Sequence, residues 1–249
     1  MSSLADLGVA RLRANNPSPM TLSGTNTWVV DHSPAWVVDP GPAMVEHLDA
    51  VAAAVDARGG AGGIALTHDH ADHVAGVEAL RERIGDVPVA AARGAPVRLG
   101  EGDTFGPLSV LHVPGHSDDH LIFVAGRAAF TGDAVLGAGS VFVSGALADY
   151  LDGLRRLRAL DLEVLCPGHG DEVWDPPAVL DRYVEHRLDR ERRLVAALES
   201  GLRTEDELLD AVWDDAPSEL RGAAAVTLRA HVEKLRSEKR LRKFGKLRL

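Results

Sequence analysis

Apolar positions recur in two different periods along the first two thirds of the chain. Residues 27–30 and 35–38 are short apolar runs separated by Asp31-His32-Ser33-Pro34, which predicts a strand pair joined by a polar turn. Residues 44–58 carry apolar side chains at helical spacing and stop at Gly59-Gly60, a C-cap signal. Residues 63–67 read as a buried strand and 74–84 as the helix that follows it. Further strands are expected at 87–91, 108–113, 121–124, 128–130 and 163–165, with a helix at 148–160. This alternation implies an α/β architecture with sheets buried by helices.

After Pro176-Pro177 the strand period disappears. Three helices are expected, at 179–199, 204–213 and 217–240. The second opens with Thr204-Glu205-Asp206-Glu207, a capping-box pattern. Residues 241–249 alternate apolar and basic side chains around Gly245, which predicts a terminal hairpin. Helices followed by a basic hairpin resemble a winged-helix module. Two domains are therefore expected, 1–175 carrying the chemistry and 176–249 helical and winged-helix-like.

Composition narrows the class. The chain has 249 residues, 45% hydrophobic and 26% charged, as in ordinary globular proteins. No apolar run is long enough to span a bilayer, and the first residues carry charges where a signal peptide needs its apolar stretch. A cytoplasmic protein without membrane contact is the expectation. Cys166 is the only cysteine, which excludes an internal disulfide and a thiolate zinc cluster. Any metal must be held by nitrogen and oxygen. The net charge of -10 argues against a surface coated with nucleic-acid-binding cations. The basic residues nevertheless concentrate after Pro217: Arg221, Arg229, Lys234, Arg236, Lys239, Arg240, Arg242, Lys243, Lys246 and Arg248, against Glu219, Glu233 and Glu238. That tail reads either as a nucleic-acid contact or as a solvated amphipathic helix.

The candidate chemistry sits at strand ends. The run His68-Asp69-His70-Ala71-Asp72-His73 places four ligand-type side chains within six residues. One strand or helix face cannot present all four. A loop can, with His68 and His70 pointing one way and Asp72 and His73 the other. Imidazole nitrogen and carboxylate oxygen suit zinc, and the same ligands accept manganese or iron. The alternative is a polar loop at a helix N-terminus with Asp72 as its cap. Downstream, His116, Asp133 and His169 each follow an apolar strand and a glycine. Asp39, at the end of a strand, reads either as a hydrogen-bond partner of the metal loop or as a turn aspartate.

The order His-x-His-x-Asp-His, then Gly-His, Gly-Asp and Gly-His-Gly is similar to the metallo-β-lactamase superfamily. The segments PGHSDDH, FTGDAVLG, DYLDGLRRL and CPGHG resemble its lactamase-beta-like-2 branch, whose animal members are endoribonucleases. The resemblance implies an αβ/βα sandwich with a small helical C-terminal domain. It implies that His68, His70 and His116 bind one metal, that Asp72, His73 and His169 bind a second, and that Asp133 bridges the two. Two such cations share a hydroxide that acts as the nucleophile. Asp133 argues against antibiotic hydrolysis, because β-lactamases of this fold lack the bridging aspartate. His70 argues against oxygen reduction.

Asp72 is also a candidate for orienting the nucleophile, and His120, beside Asp118, for protonating a leaving group. Asn26 and Thr27 match a substrate-side loop of the family or simply begin a strand. The expectation is a dinuclear-metal hydrolase, with single-stranded RNA as the leading substrate. The alternatives are a thioester, lactone or other acyl substrate, and a nucleic-acid-binding regulator with a vestigial site.

Overall fold

The computed structural model describes residues 2–242, 244, 245 and 247–249. In chain order the elements are β1 (Val9–Arg13), β2 (Asn26–Val30), β3 (Ala35–Val38), α1 (Val45–Asp56), β4 (Ala61–Ala65), α2 (Ala71–Val74), α3 (Val77–Ile84), β5 (Val89–Ala91), β6 (Val97–Arg98), β7 (Thr104–Phe105), β8 (Leu108–His112), β9 (Leu121–Ala125), β10 (Ala128–Gly132), α4 (Leu147–Arg158), β11 (Val164–Pro167), α5 (Pro176–Glu199), α6 (Glu205–Val212) and α7 (Arg221–Ser237). The strands form two sheets, ordered β1-β2-β3-β4-β5-β6 and β11-β10-β9-β8-β7. In the first, β3 through β6 pair parallel, while β1, β2 and β3 pair antiparallel. In the second, only β10 and β11 are parallel.

The period of two along each strand sorts side chains into two cores. Trp28 and Val30 of β2, Val38 of β3 and Ala65 of β4 face one core, together with Val110, Phe123, Phe130 and Val164 of the second sheet. Their neighbours Val29, Val37 and Ile64 face the other core, against α1 and α3. A strand buried on both faces has no polar side to show, which is why these runs read as continuously apolar. Helix α1 presents Leu48, Val51, Ala52 and Val55, an i, i+3, i+4, i+7 stripe. Each fully buried Leu or Val there contributes roughly 1.5–3 kcal/mol.

The expected helix 74–84 is two helices. Its break follows from backbone pairing with the turn after β3: Gly41 N–H donates to His73 O at 3.0 Å, and Gly76 N–H to Gly41 O at 2.8 Å. Gly76 has no side chain to obstruct this, since a Cβ there would lie 2.9 Å from Gly41 O.

The chain forms two compact units. The first comprises Met1–Val113, Asp119–Ser140 and Leu160–Pro176, and the second Pro114–Asp118, Val141–Ala159 and Pro177–Leu249. The second unit thus takes in α4 and a loop at 114–118 besides the C-terminal helices expected from 176 on. Its core joins Leu194 and Leu198 of α5, Leu208 and Val212 of α6, and Leu228 and Leu235 of α7. The capping box of α6 is formed: Thr204 Oγ1 accepts from Glu207 N–H at 3.4 Å, and Glu207 Oε2 from Thr204 N–H at 2.9 Å. The expected terminal hairpin is different. Among the described residues after 240 there is no strand, and Arg248 makes a single parallel bridge with Thr204 instead. Lys243 and Lys246 of the basic tail lie outside the described residues. Among the described residues no helix is long and apolar enough to cross a membrane.

Candidate metal centre

The run after β4 straddles the start of a helix. His68 and His70 precede α2, while Asp72 and His73 lie within it. The ligand atoms of His68, His70 and Asp133 lie within 4.8 Å of one another, and so do those of Asp72, His73 and His169. Asp72 does not cap its helix. Its Oδ2 instead accepts from the Thr25 hydroxyl at 3.1 Å. His116 is placed on Pro114–Asp118, in the second unit.

Asp39 organises the first unit's histidines. It is fully buried and sits at φ +52, a left-handed conformation that Asp and Asn tolerate better than most residues. Its Oδ1 accepts from Thr67 N–H at 2.8 Å and its Oδ2 from the Thr67 hydroxyl at 2.7 Å. Oδ2 also accepts from His73 Nδ1 at 2.9 Å. A carboxylate cannot donate, so His73 carries a proton on Nδ1, and Nε2 is the nitrogen that would meet a cation. The Thr67 hydroxyl has one proton and gives it to Asp39. It must therefore accept from His68 Nδ1, 3.0 Å away, so His68 Nε2 is likewise the nitrogen that would meet a cation. One aspartate fixes both rings in the tautomer that a metal needs.

His73 Nε2 is buried and has no hydrogen-bond partner among the described residues. It faces Asp72 Oδ2 and Asp133 Oδ1, each at 3.5 Å. His169 Nε2 lies 3.3 Å from Asp72 Oδ2 and 3.4 Å from Asp133 Oδ2. Lone pairs converging in a buried space demand positive charge between them. The titration directions agree. Burial opposes charge on His73, but the Asp133 and Asp39 carboxylates outweigh it and raise its pKa well above the usual imidazole value. Burial likewise opposes charge on His169, yet Asp133 and Asp72 push it up to about 9. Burial favours a neutral Asp133, but His73 and His169 hold it well below the carboxylate range. Asp72 is lowered to about 2 by the same two rings against its own desolvation. A cluster that stabilises cations this strongly, with nitrogen and oxygen donors only, fits divalent metal ions.

The glycines before Asp133 and His169 permit the close approach. A Cβ on Gly132 would lie 2.6 Å from Thr67 Oγ1, and one on Gly168 2.6 Å from Asp133 Oδ1. His120 is fully buried, and its Nε2 accepts from Asp133 N–H at 3.1 Å. Its Nε2 is thus committed to holding Asp133, which leaves Nδ1 as the nitrogen that can carry and donate a proton. Asp118 is exposed.

Asn26 and Thr27 are also placed differently from a substrate-side loop. Both are buried in β2. Asn26 Nδ2 donates to Pro167 O at 3.0 Å and to Gly170 O at 2.8 Å, so it holds both ends of the turn that carries His169. Arg13 donates to Asn26 Oδ1 at 3.0 Å and to Gly170 O at 2.8 Å. Thr27 meets His47 Nε2 at 2.9 Å. Sequence reasoning missed Thr25, Thr67 and Arg13. Only Thr67, adjoining the histidine run, offered a signal.

Two family descriptions match the chain: "Beta-lactamase superfamily domain" over residues 36–120 and "Metallo-beta-lactamase superfamily" over residues 97–169. The beta-lactamase-like protein 2 homolog of Caenorhabditis elegans is 30% identical, covering 91% of this chain and 83% of its own length. The atrochrysone carboxyl ACP thioesterase of Aspergillus chevalieri is 31% identical, covering 85% of this chain and 75% of its own. The crystal structure of a beta-lactamase domain protein from Burkholderia ambifaria shares the fold. Its TM-score is 0.78 at 20% identity, covering 93% of this chain and 86% of that one. With its two-sheet sandwich and its His/Asp clusters, the chain belongs to the metallo-β-lactamase superfamily and is a hydrolase of that family.

Proposed function

We propose that the protein hydrolyses an acyl thioester at a two-metal centre, with zinc as the first choice of ion. His68, His70 and His116 would hold one ion, Asp72, His73 and His169 the other, and Asp133 both. Bound there, the ions would supply Lewis acidity to water and to the acyl carbonyl. The protein's own part is to preset the donors. Asp39 and Thr67 hold the rings of His68 and His73, His120 holds the Asp133 backbone, and Thr25 holds Asp72. Asp72 is the partly open carboxylate of the group, with 30% of its side chain exposed. It would orient the attacking water by accepting a hydrogen bond from it.

The placement of His120 carries the choice of substrate. A thiol has a pKa of about 8.5, so it leaves as the thiolate without a proton from the enzyme. An RNA alkoxide needs that proton, and His120, whose Nε2 accepts from Asp133 N–H, would have to give it from Nδ1. The thioesterase among the relatives supports the same reading. So does the charge of the C-terminal helices. Arg221 pairs with Asp210 at 2.7 Å and Arg229 with Glu205 at 2.7 Å. Lys234 pairs with Glu191 at 2.7 Å, and Arg240 joins the same carboxylate. The one aromatic residue of the tail, Phe244, is buried. Paired cations offer phosphates a weaker field, and a buried ring stacks on no base.

Zinc-loaded protein assayed side by side on a short acyl thioester, a lactone, single-stranded RNA and a β-lactam tests this. Thioester turnover is expected, falling at least about 10²-fold in Asp133→Asn. RNA cleavage without acyl hydrolysis would overturn the substrate assignment. Full activity after exhaustive chelation would overturn the metal centre.

A further inference from the structure

The loop carrying His116 is tied to other residues of the second unit. Ser144 N–H donates to Gly115 O at 2.7 Å, and the Ser144 hydroxyl donates to His116 O at 3.0 Å. Gly115, at φ +153, lies so flat against α4 that a Cβ on it would sit 2.7 Å from Tyr150 Cβ. Tyr150 is fully buried, and burial pushes its phenol well above the usual tyrosine range, so it stays a neutral hydrogen-bonding group. Its partner is Arg187 of α5, a buried guanidinium that also donates to Val141 O. The Thr227 hydroxyl of α7 accepts from Val143 N–H at 3.3 Å. Residues 141–144 are thus pinned by α5 and α7 on one side and grip the His116 backbone on the other.

We infer that Ser144, Tyr150 and Arg187 are positioning residues for His116, and that holding this ligand is a task of the C-terminal helices. The inference rests on the reading of His116 as a metal ligand. It places the metal dependence of the second unit in residues far from the histidine run: Arg187 lies 71 positions after His116. Each of the three acts by limiting where the imidazole can go, as hydrogen-bonded partners of ligands do elsewhere.

The test is a zinc titration against a competing chelator, with the cobalt(II) absorption spectrum as a second readout, on the full-length chain. His116→Ala sets the scale for losing the ligand. Ser144→Ala, at an exposed position, and Tyr150→Phe, which removes only the hydroxyl, should each weaken one of the two sites about 10-fold. The other site should keep its affinity and the cobalt spectrum should shift. Ser144→Thr should restore both readouts. Wild-type affinities and spectrum in Ser144→Ala and Tyr150→Phe, with a clear loss in His116→Ala, would overturn the positioning role alone. No loss in His116→Ala would overturn the ligand reading and the inference with it.

Discussion

Replacing Asp39 with asparagine isolates the tautomer argument. The left-handed φ of +52 suits Asn, and the side chain keeps its size, so the fold should survive. If the amide oxygen still accepts from Thr67 N–H, the amide nitrogen faces two groups that had been donating, the Thr67 hydroxyl and His73 Nδ1. The hydroxyl must then turn its proton toward His68, and both rings move their protons to Nε2, where the ions would bind. If the amide flips, it sets N–H against N–H in a buried space, which costs about 1–3 kcal/mol. Each misoriented ligand lowers metal affinity about 10–100-fold, or about 1.4–2.7 kcal/mol. With two rings affected, the loss should be about 3–5 kcal/mol. Chelator competition measures the affinity, and nitrogen-15 NMR of the imidazoles reports which nitrogen carries the proton. Wild-type zinc affinity in Asp39→Asn would refute the reasoning. So would lost affinity with both rings still protonated on Nδ1, because the loss would then have another origin.

Two further outcomes follow from the same contacts and from the second unit. In Gly168→Ala the new Cβ would lie 2.6 Å from both Asp133 Oδ1 and His73 Cε1. Prying these apart should cost about 1–3 kcal/mol in thermal unfolding and reduce zinc stoichiometry, and an unchanged stoichiometry would count against the close approach. His231 is fully buried against Trp213, and neither ring nitrogen has a hydrogen-bond partner among the described residues. Burial, with Arg187 and Lys234 adding repulsion, lowers its pKa from 6.5 to about 3. Protonation therefore favours the unfolded chain, and stability is lost as pH falls below 6.5 toward 3. Between pH 6.5 and 5 the loss is about 2 kcal/mol. Denaturant titrations at pH 7 and 5 should show this extra loss in the wild type and its absence in His231→Leu, and equal pH dependence would refute it.

The sequence was most legible where function compresses it. His68, His70, Asp72, His73, Asp133 and His169 lie in short motifs after apolar strands, and their division into two groups is what the family resemblance implies. Positions whose partners are distant in sequence were opaque. Strand β1 reads Val-Ala-Arg-Leu-Arg, and its arginines mask a strand until Asp171 and Glu172 are present to pair with Arg11. Strands β6 and β7 have two residues each, too short for any period to register. Asn26 looked like a loop residue because its two carbonyl partners lie 141 and 144 positions away. The basic tail stayed open to two readings for the same reason: Glu191, which pairs with Lys234 and Arg240, belongs to a different helix.

The grip of Arg13 and Asn26 on the turn carrying His169 also bears on how the protein is made. The last ligand is seated by a strand near the start of the chain. During synthesis, β2 leaves the ribosome long before residues 167–170 exist. The nascent chain can assemble the histidine run early, but it cannot close the His169 side until some 140 further residues have emerged. Contacts of such long separation are formed late and slowly. Any ion held at that side would therefore be enclosed late in synthesis, and one taken up earlier by the histidine run would have to be retained, or exchanged, while the rest of the chain arrives.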